Sequence, residues 1–225
     1  LDPPADPPSV HPASRPARAS ADQMAARREA VGQPTYATTT VTADPSEPDG
    51  RRQGTGYGKA FGTAVHRLFE HAITRRHTVS GPNDLTAVLR ALLTDHDISE
   101  QEAEARRMLT AFLDSVLWQT LQDAAPVHTE FPVSGREDGS SPTLIDGTID
   151  LLYQANGAWH LIDFKTDRVG ADGPAALLDA YRPQLESYAT LWEQATGNSV
   201  AHAALWLADT GTMVTADGAS GEAPR

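Results

Sequence analysis

The sequence Gly147-Thr-Ile-Asp-Leu-Leu-Tyr-Gln-Ala-Asn-Gly-Ala-Trp-His-Leu-Ile-Asp-Phe-Lys-Thr166 predicts a β-hairpin in the second half of the chain. Its two apolar runs are separated by Asn156-Gly157, the dipeptide that most strongly favours a two-residue hairpin turn. If these residues form the turn, counting outward pairs Asp150 with Asp163. Directly paired residues share a sheet face with their Cβ atoms about 4.5–5.5 Å apart, and alternate residues of one strand share that face. The hairpin is therefore predicted to bring two carboxylates together with the ammonium of Lys165.

Two carboxylates that face each other across a β-ladder destabilise it, so their pairing requires a reason. A divalent cation provides one, because Mg²⁺ prefers hard oxygen ligands and uses one or two protein carboxylates with water and substrate phosphate. Mn²⁺ is a possible substitute. An ammonium beside the metal, here Lys165, can orient the attacking water or help to deprotonate it. From spacing alone, the alternative is an exposed hairpin with a Lys–Asp surface pair.

The elements around the hairpin follow a recognisable order. Apolar periodicity predicts helices over residues 60–76, 84–94 and 99–121, the last beginning with a capping box formed by Ser99 and Glu102. Alternating patterns predict strands over residues 127–133, 144–153, 158–166, 200–207 and 213–215. Between the third and fourth strands, two helical pieces are expected, split at Pro183 and ended by Gly197. This order of helix, three strands, helix and strand, with two helices inserted after the first, predicts an α/β sandwich on a central mixed sheet.

The two ends of the chain have the composition of unfolded segments. Nine of the sixteen prolines lie in the first 50 residues, and such a segment cannot bury enough apolar surface to offset its ordering entropy. Residues 1–58 are therefore predicted to be a mostly disordered linker, within which a short helix near residues 21–30 and an extended stretch near residues 36–42 are compatible with the pattern. The folded domain is predicted to span residues 59–217, followed by a flexible tail over residues 218–225.

Composition and charge limit the function classes. The chain has no cysteine, which excludes disulfides, iron–sulfur clusters and thiolate zinc sites. It shows neither a signal peptide nor an apolar run near the ~20 residues of a membrane helix, so a cytoplasmic protein without membrane contact is expected. The first residue, Leu1, indicates a fragment or a processed chain. A net charge of −12 argues against nucleic-acid binding, yet residues 51–76 carry six basic residues and one acidic residue.

Four short motifs resemble those of RecB-like nucleases in the PD-(D/E)xK superfamily. Gly62-Thr-Ala-Val-His66 is similar to their Gly-x-x-x-His helix motif, and Gly147-Thr-Ile-Asp150 to their Gly-x-x-Asp strand. Asp163-Phe-Lys165-Thr166 resembles their Asp-Tyr-Lys-Thr strand, and Gln184-Leu-Glu-Ser-Tyr188 their Gln-x-x-x-Tyr helix. The chain departs from the superfamily pattern at Ile149, which occupies the proline position. All four motifs occur in the family's order.

The resemblance implies a restriction-endonuclease-like αβββαβ core and a Mg²⁺-dependent deoxyribonuclease, an exonuclease rather than an endonuclease. The family places this module at the C-terminal end of helicase–nucleases of the RecB and AddA kind, which act in double-strand break repair and recombination. DNA and a helicase domain in the parent chain or complex are thus the expected partners. The absence of cysteine separates this chain from relatives that carry an iron–sulfur cluster.

The resemblance also assigns roles to individual residues. The implied metal ligands are Glu130, Asp150, Asp163, the backbone carbonyl of Phe164, and His66, for which the resemblance also allows a phosphate contact. Lys165 would orient the attacking water, and Gln184 and Tyr188, one helical turn apart, would position DNA or Lys165. Each assignment has a structural alternative: a histidine at the border of an apolar helix face, a solvent-facing strand glutamate, and a polar helix border.

Two other functions remain compatible with these residues. A nuclease fold that has lost catalysis could serve as a DNA-binding or scaffolding module, although the complete Asp/Asp/Lys set argues against it. A small-molecule metallohydrolase is the other alternative, and the local basic stretch disfavours it.

Overall fold

The computed structural model describes residues 37–41, 57–137 and 143–215. The helices are α1 (Lys59–Thr74), α2 (Thr86–Asp95), α3 (Glu102–Leu113), α4 (Val116–Asp123) and α5 (Gly173–Thr196), with short 3₁₀ turns at Pro82–Leu85 and Ser99–Gln101. The strands are β1 (Ala37–Thr40), β2 (Val127–Glu137), β3 (Thr143–Ala155), β4 (Ala158–Lys165), β5 (Val200–Leu207) and β6 (Thr212–Thr215).

The strands form one mixed sheet in which β3 pairs with three other strands. The order β1-β3-β4-β5-β6 runs across the sheet, and β2 also pairs with β3. The β1–β3 and β4–β5 pairs are parallel, whereas β2–β3, β3–β4 and β5–β6 are antiparallel. The predicted α/β class and the αβββαβ element order are confirmed, with β1 paired to β3 and β6 paired to β5 outside that core.

The predicted hairpin turn is present between β3 and β4. Asn156 and Gly157 both have positive φ, 53° and 80°, as a type I′ turn requires. The predicted register holds from Ala155↔Ala158 to Leu151↔Ile162, where the ladder ends. The prediction that Asp150 and Asp163 pair directly is therefore wrong, because the strands separate one residue before them.

The sheet lies between two apolar layers. Helices α1 to α4 cover one face, where they bury sheet residues such as Leu151, Ile162 and Phe164. Helix α5 covers the other face and packs on Leu152 and Leu161. Alternation along β4 therefore directs Asp163 and Lys165 toward α5.

The helix predicted over residues 99–121 is two helices, α3 and α4. Ser115 interrupts it with extended backbone: its hydroxyl donates to the Phe112 carbonyl at 2.6 Å and accepts the Trp118 N–H at 3.1 Å. Serine competes with helical hydrogen bonding in this way. The predicted Ser99 capping box is also wrong, since Ser99 lies inside a 3₁₀ turn that has no side-chain cap.

Helix α5 continues through Pro183, so the predicted division into two pieces is wrong. Proline removes the hydrogen bond to the carbonyl of Asp179, four residues earlier. Both residues lie on the exposed side of the helix, where water can satisfy that carbonyl. Buried residues before and after the proline, Leu178 and Leu185, pack in the same cluster and keep the helix continuous. Gly197 ends it at φ 73° as predicted.

Strand β1 comes from the segment that composition assigns to the linker. It coincides with the extended stretch expected near residues 36–42 and pairs with residues 143–146 of β3. The short helix expected near residues 21–30 and the tail over residues 218–225 lie outside the described residues. None of the helices among the described residues is long and apolar enough to cross a membrane.

Candidate active site

The site occupies a notch in the edge of β3. On that edge β1 pairs with residues 143–146 and β4 with residues 151–155, while β2 runs along the opposite edge. Neither β1 nor β4 pairs with residues 147–150. Asp150 stands at the end of this gap, where β3 and β4 diverge.

Asp150 is held between helix α1 and strand β4. Its Oδ1 lies 3.4 Å from Nδ1 of His66, and its Oδ2 accepts the backbone N–H of Phe164 at 2.7 Å. The side chain is nearly buried, with 9 % of its residue surface exposed. These contacts replace the ladder pair that the sequence predicted and fix the carboxylate beside α1.

Glu130 reaches the same point from β2 through an unusual backbone. It has φ 48°, a left-handed conformation that costs a non-glycine residue about 1–3 kcal/mol. The β2–β3 ladder is interrupted here, between Thr129↔Leu151 and Phe131↔Ile149. Strain of this kind persists where surrounding structure enforces it, commonly at functional sites.

His66, Glu130 and Asp150 form a group suited to a divalent cation. One ligand atom from each lies within 4.8 Å of the others. One imidazole nitrogen and two carboxylate oxygens are donors that Mn²⁺ accepts readily, and Mg²⁺ accepts the carboxylates. Within the described part of the chain, these three residues are the group of histidine and acidic side chains whose ligand atoms lie close enough together to share one metal ion.

The charges of this group interact strongly. Burial raises the pKa of Glu130, and the nearby Asp150 raises it further. Burial acts to raise the pKa of Asp150, but His66, Lys165 and the Phe164 N–H outweigh it, so the net pKa is lowered. For His66, burial opposes the charge, yet Asp150 raises the pKa overall. The site therefore favours a carboxylate at Asp150 and disfavours a second one at Glu130.

Lys165 and Asp163 lie together on the α5 side of β4. Lys165 Nζ is 2.7 Å from Oδ2 of Asp163 and donates to Oε1 of Gln184 at 3.1 Å. Gln184 in turn donates through Nε2 to the hydroxyl of Tyr188 at 3.2 Å. Through these contacts, two residues of helix α5 hold the Lys165 ammonium in position.

Protonation in this pair follows from burial and from the neighbouring acid. Burial, reinforced by Asp150, raises the pKa of Asp163 to about 6 despite the attraction of Lys165. Burial acts against the Lys165 charge, but Asp163 and Asp150 outweigh it and raise the lysine pKa. Lys165 is thus an ammonium at neutral pH.

Two glycines allow the four motifs to meet. A Cβ at Gly147 would stand 2.7 Å from Cε1 of Tyr188 and 3.1 Å from Cβ of Val41, so a larger residue would displace the tyrosine. A Cβ at Gly62 would be 3.2 Å from Oγ1 of Thr166. These close approaches give the two motif glycines a physical function: one brings α5 onto β3, and the other brings α1 onto the end of β4.

The loop after Lys165 is hydrogen-bonded to the turn that follows β5. Oδ2 of Asp209 accepts the N–H of Val169 at 3.3 Å, and the Ala208 N–H donates to the carbonyl of Lys165 at 2.8 Å. The hydroxyl oxygen of Tyr57 lies 2.6 Å from Oε1 of Glu104 and 3.0 Å from Oδ1 of Asp209, and its single proton is available to either carboxylate. The chain just before α1 is therefore linked through Asp209 to the loop that follows β4.

The motifs identified in the sequence thus converge on one point, which matches a known family. A family model described as "PD-(D/E)XK nuclease superfamily" matches residues 46–223. The chain belongs to the PD-(D/E)XK nuclease superfamily.

Curated relatives of this nuclease-superfamily chain are much longer proteins. It is 29 % identical over 173 residues to an ATP-dependent helicase/nuclease subunit of Bacillus velezensis, covering 68 % of this chain and 14 % of that protein. The protein of the same name from Desulforudis audaxviator is 32 % identical over 167 residues, covering 68 % of this chain and 13 % of that protein. The chain thus spans about one seventh of the length of these relatives.

The side chains predicted for the site fall into two groups of neighbouring residues. His66, Glu130 and Asp150 form one group, and Asp163, Lys165, Gln184 and Tyr188 form the other. The Phe164 N–H contacts Asp150, whereas metal ligation by its carbonyl and by Asp163 stays a prediction.

Tyr181 belongs to the site although no sequence motif indicated it. Its ring centroid lies 4.1 Å from Lys165 Nζ. Its spacing of three residues before Gln184 places it on the same helix face and could have revealed it.

Replacing Glu130 by glycine should distinguish two properties of this residue, the energetic cost of its backbone conformation and its contribution to metal binding. Glycine adopts positive φ without steric cost, and the change removes a carboxylate whose charge the site disfavours. In EDTA the variant should be as stable as the wild type or up to about 1 kcal/mol more stable, while Mn²⁺ or Mg²⁺ should raise its melting temperature less. Thermal melts with and without metal measure both effects.

Asp97→Gly is a matched control, because Asp97 is exposed and also has positive φ, 57°. It should relieve strain without changing the response to metal. A Glu130→Gly protein that responds to metal as the wild type does would remove Glu130 from the ligand set.

Proposed function

We propose that this chain is the nuclease module of a helicase–nuclease and hydrolyses DNA phosphodiester bonds with Mg²⁺ or Mn²⁺. The observation that carries the proposal is the meeting of two groups in the β3 notch: the ligand set of His66, Glu130 and Asp150, and the buried Asp163–Lys165 pair. A surface hairpin with a Lys–Asp pair would not bury Asp163 to 2 % exposure.

The chain's own groups would divide the work. His66, Glu130 and Asp150 would hold the cation, together with Asp163 when it is deprotonated. A bound divalent cation supplies Lewis-acid polarisation of the phosphate and activation of water. Lys165 would orient the attacking water and stabilise developing negative charge, since its ammonium is held in place by Gln184. Gln184 and Tyr188 would keep that ammonium in position rather than react themselves.

Arg67 of α1 provides a local attraction for DNA in an acidic protein. Arg67 follows His66 directly, and its side chain is 62 % exposed, with a long contact of 3.9 Å to Glu70. Its positive charge acts on Glu130, whose pKa it tends to lower. Arg67 therefore lies at the mouth of the site, where a phosphate could bind it.

The wider context also belongs to the proposal. The relatives are described as subunits of an ATP-dependent helicase/nuclease, so a helicase domain in the parent chain or complex is the partner we propose. We also propose exonuclease action and a role in double-strand break repair and recombination, which the motif resemblance implies.

Cleavage assays on the purified chain test the function. With Mg²⁺ or Mn²⁺, labelled single- or double-stranded DNA should be degraded, EDTA should abolish the reaction, and an Asp150→Ala preparation should exclude a contaminating nuclease. Cleavage that persists in EDTA would refute the metal requirement. No cleavage with any metal or DNA form would support a scaffolding module that has lost catalysis.

A further inference from the structure

Tyr181 is a buried aromatic residue whose ring lies against the catalytic ammonium. It is on α5, one turn before Gln184, and is 6 % exposed. Its ring centroid is 4.1 Å from Lys165 Nζ, well within the ~6 Å limit for a cation–π contact. The negative face of the ring attracts the cation, and the attraction grows as water is excluded.

The hydroxyl group of Tyr181 makes a second contact, which helps to fix the ring. The Tyr181 hydroxyl donates to Oδ2 of Asp167 at 3.2 Å. Asp167 is two residues beyond Lys165 in the loop that leaves β4. Tyr181 therefore joins α5 both to the lysine and to the backbone that follows it.

The ammonium thus has three neighbours. Asp163 lies 2.7 Å from Lys165 Nζ and Gln184 3.1 Å from it, and the Tyr181 ring is the third contact. A lysine has four rotatable side-chain bonds, so an ammonium held by one carboxylate alone would sample many positions. Misplacing a catalytic group by about 1 Å can cost about 10²-fold in rate.

We propose that Tyr181 is a positioning residue for Lys165, whose ring holds the ammonium in place by a cation–π contact. The Tyr181–Asp167 hydrogen bond orients the ring. The effect on catalysis rests on the proposed nuclease function, whereas the contact of the ring with Lys165 does not.

Lysine NMR tests the contact without any activity measurement. The chain has two lysines, Lys59 and Lys165, so labelling lysine at ¹³Cε gives two signals, which a Lys59→Arg variant assigns. Ring current should move the Lys165 ε-methylene protons upfield of those of Lys59. Tyr181→Phe should retain the displacement, and Tyr181→Leu should abolish it. A Lys165 signal without displacement in the wild-type protein would overturn the proposal, whatever the variants do.

Kinetics test the consequence once the wild type has been shown to cleave DNA. Tyr181→Leu should lower kcat about 10- to 100-fold with little change in KM, while Tyr181→Phe should lower kcat much less, because it keeps the ring and loses only the hydrogen bond that orients it. The matched control is Trp192→Leu, which removes a buried aromatic side chain from the same helix, where Trp192 packs on Trp159 and Phe131.

The outcomes are distinguishable. An inactive wild type contradicts the proposed function but leaves the NMR result to decide the contact. An active wild type with Tyr181→Leu equally active, or with Trp192→Leu losing as much kcat, would show that Tyr181 has a packing role only.

Discussion

Replacing Lys165 by alanine should lower kcat for DNA cleavage by about two to four orders of magnitude, the usual contribution of a positioned proton-transfer group. The ammonium is held in position by Asp163 and Gln184, and an alanine side chain has no group that could replace it. Metal binding should persist, because Lys165 is not part of the ligand group of His66, Glu130 and Asp150.

Mg²⁺ or Mn²⁺ titration by calorimetry should give a dissociation constant equal to the wild-type value or lower, since a nearby positive charge has been removed. The control is Lys59→Ala, which alters the chain's other lysine on the exposed first turn of α1 and should leave kcat unchanged. A Lys165→Ala protein that cleaves DNA at a near wild-type rate, or that no longer binds metal, would reverse the assigned roles.

The two aspartates should respond to substitution by asparagine in opposite directions in EDTA. The folded-state pKa of Asp163 is raised to about 6 from 3.8, so its favourable contribution is present below the unfolded pKa and lost as the pH rises through 6. Above pH 6, Asp163→Asn should therefore be more stable than the wild type by about 1–3 kcal/mol.

Asp150 has the opposite shift, because His66, Lys165 and the Phe164 N–H outweigh the cost of its burial. Its contribution to stability is present above the unfolded pKa and is lost as the pH falls through the lower folded-state pKa. Asp150→Asn should then be less stable than the wild type in EDTA at pH 8. For Asp163, the variant and the wild type should have similar free energies of unfolding below about pH 4, where the carboxyl is protonated in both the folded and the unfolded state.

Millimolar Mg²⁺ should reverse the order for Asp163, because binding to the folded state stabilises the wild type more than a variant that lacks a ligand. Thermal melts at pH 5 and pH 8, with EDTA or Mg²⁺, provide the measurement, and both variants should lose most cleavage activity. Asp172→Asn, an exposed change before α5, should alter none of these values. If both asparagine variants are equally destabilised and Mg²⁺ shifts no melt, the carboxylates serve as structural hydrogen-bonding groups.

Local chemistry explains which parts of the fold could be predicted. The Asn156-Gly157 turn determines the β3–β4 register, because both positions require positive φ and other residue pairs rarely satisfy that. The end of the ladder at Leu151 and Ile162 could not be predicted, since it depends on how β1 and β4 share one edge of β3. The predicted pair of opposed aspartates was wrong for that reason, although both carboxylates reach the site.

Tertiary contacts decided the features that the sequence pattern misjudged. Pro183 remains inside α5 because buried residues on both sides of it pack on the sheet, which outweighs a local preference for ending the helix. The positive φ of Glu130 has no local sequence signal, since glutamate does not favour that conformation. The spacing of Tyr181 to Gln184 indicates a shared helix face, but it does not indicate that the ring contacts Lys165.

Strand β1 has a practical consequence for anyone who expresses this domain alone. The superfamily match begins at residue 46, yet β1 ends at Thr40, and the adjoining Val41 donates its N–H to the carbonyl of Asp146 at 2.8 Å. A protein cloned from residue 46 would leave one edge of β3 uncovered over residues 143–146. Unprotected strand edges pair with other chains, so such a truncated protein should self-associate at high concentration, and a start upstream of residue 37 should avoid this.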